Sequence, residues 1–409
     1  MLDRRTYVAR RNVNELQSII EAHGAMAQRG LQMALATVVN VAGSAYRRPG
    51  ARMLIAADGR TVGSVSGGCL ERDVLNHAQR VLQSNEPRVV TYDAMSGDDI
   101  VWEFNLGCNG IIDVLIEPLP TRGNVDVLAF LADCLSLRHR AIIATLFAVE
   151  GPMKATIGNR LLLSEQRPAI HDIGNDALVE AIGNDSRQAL ADGRSTIKRY
   201  ELAAGCAQVF IEIVQPPVPL IVLGAGYDAV PVVRLAKELG WHVTVVDPRP
   251  GHAIRTRFPL ADALIICRPE EVCKRIPLDR GTVAVVMTHN FLHDAELLRA
   301  LIPSPLLYLG LLGPKQRAQR LLDGIQNQGT VLSQSRLALI YGPMGLDIGA
   351  DTPDEIALAV IAEIQAVLTG RLGGMLRIRE GPLHEERHGV EVIPVSGTIQ
   401  GALSCGHAY

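Results

Sequence analysis

Apolar positions Leu16, Ile19, Ile20, Met26 and Ala27 recur at helical spacing, with Asn12 as the cap, Glu15 three residues on and Gly30 as the stop, and predict a first helix. Met33 to Val41 is rich in β-formers, and Arg52 to Ala56 returns as a strand toward a turn at Asp58-Gly59. The loop between them, from Ala42 to Ala51, holds Gly43, Arg47, Arg48, Pro49 and Gly50. A further short strand ends in Ser66-Gly67-Gly68-Cys69, after which Leu70, Val74, Leu75, Ala78, Val81 and Leu82 take up the helical period. The pattern therefore places Cys69 at a helix N-terminus.

Part of this pattern repeats. Ala36-Thr37, Gly43, Gly50 and Arg52 reappear 108 residues on as Ala144-Thr145, Gly151, Gly158 and Arg160. Leu115-Ile116-Glu117-Pro118 and Phe210-Ile211-Glu212-Ile213, each followed by prolines, close both copies with a similar strand. Residues 1–215 are expected to form one α+β unit of two related halves, about 30–120 and 141–215. Only the first half carries the Ser-Gly-Gly-Cys loop.

Gln215-Pro216-Pro217-Val218-Pro219 rejects both helix and central strand and marks a boundary. Beyond it, apolar runs at Leu220 to Leu223, Val243 to Val246, Ala263 to Ile266, Val283 to Met287 and Leu306 to Leu309 alternate with helical patterns. That alternation predicts an α/β, Rossmann-like, doubly wound parallel sheet over 216–370, closed by a helix from Pro353 to Leu368. A C-terminal tail is expected over 371–409. Gly224-Ala225-Gly226-Tyr227-Asp228-Ala229 stands between strand and helix as the GxGxxA form of the dinucleotide fingerprint, and Asp247 ends the next strand 21 residues beyond Gly226. Gly224 and Gly226 would let backbone approach a phosphate, and Asp247 would accept from a ribose hydroxyl. Tyr227 in the turn and Pro231 in the first helical turns leave room for a scaffolding Rossmann domain instead.

A net charge of −3 and 4% aromatic residues give no footing for nucleic acid, and no apolar run approaches the ~18 residues of a membrane span. Without a secretory h-region near Met1, the chain is expected to be cytoplasmic. Seven scattered cysteines without a CxxC pair argue against a disulfide framework or a closed zinc site. Two of them stand out. Cys69 and Cys108 (in Leu106-Gly107-Cys108-Asn109-Gly110) lie in Gly-flanked loops, where free amides favour thiolate. Thiolates bind soft metals, and Arg47 and Arg48 could hold a phosphate bidentately. His289 and His293 share an HxxxH spacing at the sheet edge, read as a solvated helix start rather than a metal site. His384 to His388 spells HExxH in a segment boxed by glycine and proline, too short for a metallopeptidase helix. Cys405 and His407 are read as part of a mobile terminus.

The stretch Gly43-Ser44-Ala45-Tyr46-Arg47-Arg48-Pro49-Gly50-Ala51-Arg52-Met53-Leu54, followed by Gly63-Ser64-Val65-Ser66-Gly67-Gly68-Cys69-Leu70-Glu71, resembles the XdhC/CoxI family. The Cys108 loop, Val246-Asp247-Pro248-Arg249, Met287-Thr288-His289, Leu309-Gly310-Leu311-Leu312-Gly313 and Gly345-Leu346-Asp347-Ile348-Gly349-Ala350 are similar to it as well, over about residues 30–370. The resemblance implies a maturation factor that binds molybdenum cofactor, protects it and delivers it to an apoenzyme of the xanthine dehydrogenase family. It further implies a cysteine desulfurase or cofactor-sulfurating enzyme as partner. Cys69 and Cys108 would touch the metal, with Arg47, Arg48, Gly67 and Gly68 around the molybdopterin and Gly224, Gly226 and Asp247 around any nucleotide. A homodimer is expected on general grounds. A non-catalytic chaperone is the expected reading, with no catalytic residue assigned. The rival is an NAD(P)-dependent oxidoreductase using the second domain, with His289 moving a proton. Tyr227 stands where the family usually shows His, and Leu312-Gly313-Pro314-Lys315 replaces a Ser-containing segment.

Overall fold

Strand β1 (Met33–Gly43) sends Ala34, Ala36 and Val38 to one face of its sheet and Met33 and Leu35 to the other, both faces being buried. Around it the sheet runs β3 (Thr61–Gly63), β2 (Arg52–Ala56), β1, β5 (Gly110–Leu119), β4 (Arg88–Asp93), all antiparallel. Helix α1 (Val13–Ala27) packs Leu16 and Ile19 on the Leu35 face. On the opposite face, α2 (Glu71–Ser84) lays down Val74, Ala78 and Val81. The computed structural model describes residues 13–43, 45–93, 110–120, 125–328, 332–380 and 391–395. The chain divides into two compact units, 1–216 with 384–409, and 217–383.

The second half of the first unit repeats the first strand for strand. After α3 (Val127–Leu137) come β6 (Ala141–Glu150), β7 (Arg160–Ser164), β8 (Arg167–His171), α4 (Asp176–Asp192), β9 (Thr196–Leu202) and β10 (Gly205–Val214). Their sheet order, β8-β7-β6-β10-β9, is that of β3-β2-β1-β5-β4. Registers agree as well: Thr37 pairs with Arg52 and Thr145 with Arg160, while Leu35 pairs with Glu117 and Ile143 with Glu212. Even the bulge is shared, since the ladders skip Val39 in one sheet and Phe147 in the other. Segment 391–394, expected within a tail, instead forms β17 (Glu391–Pro394), which adds parallel to β9 and extends that sheet.

The two sheets share one core, in which Leu35 and Leu54 meet Ile143 and Leu162, with Leu16, Leu128 and Leu131 around them. A smaller cluster of Val39, Leu115, Phe147 and Phe210 pairs equivalent residues from the two halves. Beside it two ion pairs cross between halves. Arg52 donates from Nη1 to Glu212 Oε1 at 2.9 Å and from Nη2 to Oε2 at 2.5 Å. Arg160, 2% exposed, donates from Nη2 to both oxygens of Glu117 at 2.8 and 2.6 Å. A small cavity lined by both pairs and by Thr37 and Thr145 lies between them.

The second unit is a parallel sheet whose strands are near-continuous apolar runs, as burial on both faces requires. Its elements are β11 (Pro219–Leu223), α5 (Ala229–Glu238), β12 (His242–Val246), β13 (Ala263–Ile265), β14 (Val283–Val286), α6 (Phe291–Leu301), β15 (Tyr308–Leu311), α7 (Lys315–Asn327), β16 (Ile340–Tyr341) and α8 (Pro353–Thr369), with shorter helical turns between. The order β13-β12-β11-β14-β15-β16 makes a doubly wound Rossmann sheet that reverses direction between β11 and β14. Helices α6 and α7 cover the face of Ile221, Leu223, Ala284 and Val286, and α5 packs with α8. Helix α8 starts on a capping box of Thr352 and Glu355 with Pro353 first, and stops at Gly370 in the left-handed region. Among the described residues no helix is long and apolar enough to cross a membrane.

Removing one member of a crossed pair strands its partner's charge in the core. Glu117→Gln should lower the stability of the first unit by about 3–5 kcal/mol in urea melts followed by circular dichroism, whereas Glu117→Leu combined with Arg160→Met should recover most of the loss.

Candidate functional site

The loop from Ser64 to Leu70 joins β3 to α2, and one hydroxyl organises it. Ser66 Oγ accepts from the amides of Gly68 and Leu70, both at 3.1 Å, and donates to Glu71 Oε2 at 2.5 Å. The Ser66 amide donates to Glu71 Oε1 at 2.9 Å. Burial pushes the Glu71 carboxyl up, but the hydrogen bonds from the Ser66 side chain and amide outweigh it and hold the group below its ordinary value. Gly68 sits at φ +114°, a conformation that favours glycine. Helix α2 begins at Glu71 behind the cap Leu70, so Cys69 stands just ahead of the helix rather than within it.

Cys69 is half-buried and its thiol donates to Ser66 Oγ at 3.5 Å. Of the other described thiols, Cys134, Cys206 and Cys267 are buried. Burial pushes Cys134 up to about 11, as befits a small core hydrophobe. Cys273 is exposed and directs its thiol to the Ala300 carbonyl at 3.3 Å. Cys108 and Gly107, like the His384, His388, Cys405 and His407 candidates, lie outside the described residues. Among the described residues no group of three or more His, Cys, Asp or Glu side chains is arranged to hold a metal ion.

Arg47 closes the loop onto α1. Its Nη2 pairs with the Glu15 carboxylate and donates to the Ser64 carbonyl at 3.0 Å, and Nε donates to the same carbonyl at 3.2 Å. Glu15 in turn accepts from the Ser64 amide at 2.9 Å. Arg47 thus acts on the loop's shape, while Arg48 follows it on the same segment. Tyr46 is 75% exposed, and its ring lies over Gly67, whose Cβ position is 3.6 Å from the ring. The structure brings Tyr46, Arg47, Gly67, Gly68 and Cys69 onto one small surface. Sequence pattern singled out the thiol, the arginine and the glycines. It missed Ser66, Glu71, Glu15 and Tyr46, although the S-x-x-x-x-E spacing into a helix start was there to be read.

The second candidate surface is the C-terminal edge of the Rossmann sheet. A Cβ on Gly224, at φ +117°, would lie 2.4 Å from the Met287 carbonyl oxygen, and one on Gly226 would lie 2.3 Å from Asp228 Oδ1. Asp247 directly follows β12 and is 1% exposed. Oδ1 accepts from the Arg249 amide and Nε at 2.9 and 2.8 Å, and Oδ2 accepts from the Ala225 amide and Arg249 Nη2, both at 2.8 Å. Burial raises this carboxyl too, and the bonds from Arg249 and Ala225 outweigh burial and hold it low. His289, at φ +59°, pairs its Nε2 with Asp228 Oδ2 at 2.7 Å. It precedes Asn290, the cap of α6, so His289 and His293 do not share a helix face.

A family model described as XdhC and CoxI family matches residues 26–93, and one described as XdhC Rossmann domain matches residues 220–364. A probable xanthine dehydrogenase subunit of Bacillus subtilis (strain 168) is 35% identical over 332 residues, covering 81% of this chain and 91% of that one. The chain belongs to the XdhC/CoxI family. A more distant relative, the molybdenum cofactor insertion chaperone PaoD of Escherichia coli (strain K12), is 23% identical over 81% of this chain and 82% of its own. A crystal structure from Bacillus halodurans, described as a xanthine dehydrogenase, superposes with a TM-score of 0.68 at 30% identity, covering 88% of this chain and 98% of that one. Both of this member's candidate surfaces, Tyr46 to Glu71 and Gly224 to Asp247, fall inside the matched segments.

Ser66→Ala should cost about 1–3 kcal/mol, because it leaves loop amides and the Glu71 carboxylate without their hub. Amide hydrogen exchange should quicken at Gly68 and Leu70. For Asp247, a folded pKa below the unfolded one means stabilisation that is complete above the ordinary carboxylate value near pH 4 and is lost as pH falls through the folded value. Asp247→Asn should therefore flatten the acid limb of the stability profile in denaturant titrations between about pH 3 and pH 7.

Proposed function

We propose that this protein is a molybdenum-cofactor maturation factor that holds the cofactor at the Cys69 loop, shields it, and hands it to an apoenzyme of the xanthine dehydrogenase family. The observation that carries this reading is the Cys69 thiol, set on a loop fixed by Ser66 and Glu71 and flanked by the Gly67-Gly68 backbone. Molybdopterin brings a soft metal, a polar ring system and an anionic phosphate. A thiolate suits the first and a guanidinium suits the last. Membership in a family with a named molybdenum cofactor insertion chaperone supports the assignment. Cys108 is the second thiol of the proposed site, with Arg48 beside the cofactor's phosphate.

A carrier of this kind needs no catalytic acid or base. It needs a site that orders the cargo, excludes water from the metal and yields to a better ligand. In the same reading the partners are the apoenzyme and a sulfur donor, a cysteine desulfurase or cofactor-sulfurating enzyme, and the chain works as a cytoplasmic homodimer.

Protein purified from a host that makes molybdenum cofactor should release a fluorescent pterin when denatured under oxidising conditions, near stoichiometric with the chain. Cys69→Ser combined with Cys108→Ser should lose it while keeping the wild-type circular dichroism spectrum. Equal pterin in wild type and the double variant would remove the thiols from the role. Absence of pterin from wild type, even after adding the cofactor in vitro, would remove the carrier reading itself.

A further inference from the structure

In a dinucleotide site of the Rossmann type, the acid ending the second strand is open to the cleft and accepts from the adenosine ribose hydroxyls. Asp247 occupies that position but is not open. It is 1% exposed, each of its oxygens accepts two N–H groups, and three of the four come from Arg249. The side chain that meets solvent there is Arg249 itself, 51% exposed. The ribose position thus presents a guanidinium where an NAD-type site presents a carboxylate.

Neighbouring groups reinforce the change of sign. The Arg249 carbonyl accepts from the His252 amide at 3.1 Å, and the His252 ring meets Arg257 Nη1 at 3.0 Å. Arg257 lies over the Tyr227 ring, 4.6 Å from its centroid, and Tyr227 is the exposed residue of the glycine loop. Arg257 Nε is buried and finds no acceptor among the described residues. Asp228, within the loop, is itself paired with His289. Gly224 and Gly226 let the loop press against its own neighbours, where a Cβ would meet the Met287 carbonyl and Asp228 Oδ1.

We infer that this edge binds a dinucleotide of the NADP type, with Arg249 reading the 2′-phosphate of the adenosine ribose and Arg257 supporting it from the Tyr227 side. A phosphate dianion gains charge-assisted hydrogen bonds from a guanidinium that two ribose hydroxyls do not. Every residue of this site belongs to the second unit, 217–383.

Isothermal titration of the full-length protein with NADPH, NADH, adenosine 2′,5′-bisphosphate and 5′-AMP tests it. NADPH should bind at least about tenfold tighter than NADH, and the bisphosphate should exceed 5′-AMP by a similar factor. Arg249→Ala should lower NADPH affinity roughly tenfold to hundredfold without lowering NADH affinity, since it uncovers the Asp247 carboxylate. If Arg249→Ala fails to fold because it uncovers Asp247, Arg257→Ala carries the test, and should weaken NADPH selectively by about threefold or more. NADH binding as tight as NADPH, an equal loss for both nucleotides in the variants, or no binding of either up to about 1 mM would each overturn the assignment.

Discussion

The first unit depends on a crossed exchange of charge. Each half supplies an arginine at the start of one strand and a glutamate on another, and each arginine finds its carboxylate in the opposite half. Four ionised groups are thereby taken out of water, which is tolerable only when all are paired with good geometry. Apolar contact between the sheets supplies the attraction. The ion pairs supply the selectivity, because a slip of one residue in β2 or β7 would turn its arginine to the opposite face of the sheet. Val39, Leu115, Phe147 and Phe210 complete the arrangement, the shared bulge being what turns Val39 and Phe147 toward the seam.

Against this near-symmetry the loop before α2 is the exception. Helix α4 in the second half starts from Asn175, whose side chain accepts from the Leu178 amide, a plain cap with nothing reactive in it. The equivalent turn before α2 has no side-chain cap at Leu70 and instead gathers its amides on Ser66. The following thiol donates to the same hydroxyl and packs half-buried against the core beneath α2. The duplicated scaffold holds the shape, and only the first copy of the turn carries the Ser-Gly-Gly-Cys sequence.

Local pattern accounts for what was legible in advance. The apolar runs of β11, β12 and β14, the glycine fingerprint, the Pro353 helix start and the 108-residue offset are all properties of neighbouring residues or of direct self-comparison. The offset even exposed Arg52 and Arg160 as equivalents. Their glutamate partners stayed hidden as partners, because Glu212 lies 160 residues from Arg52 and Glu117 lies 43 from Arg160, and pairing depends on how two sheets face each other. The engagement of Arg47 with Glu15 stayed hidden for the same reason: it spans 32 residues and strand β1. At Asp247 the motif was right about position, yet Arg249, two residues on, changes what the position offers. Segment 391–394 read as tail because a four-residue strand with no partner in view carries almost no periodic signal.

A carrier must bind firmly and still let go, and the rigidity of the Cys69 loop bears on both. With the loop shape set by Ser66, Glu71, Arg47 and Glu15, little conformational entropy would be lost if a ligand bound there, so few contacts would suffice to hold it. The same economy favours release. A site built on few strong contacts gives way by ligand exchange when an acceptor offers more of them, with no need to unfold the turn. The exposed Tyr46 ring over Gly67 leaves the outer side of that surface open to solvent. The crossed ion pairs keep the sheets beneath from yielding in the process. Stability sits in the seam between the halves, and the Cys69 loop sits at the rim of one of them.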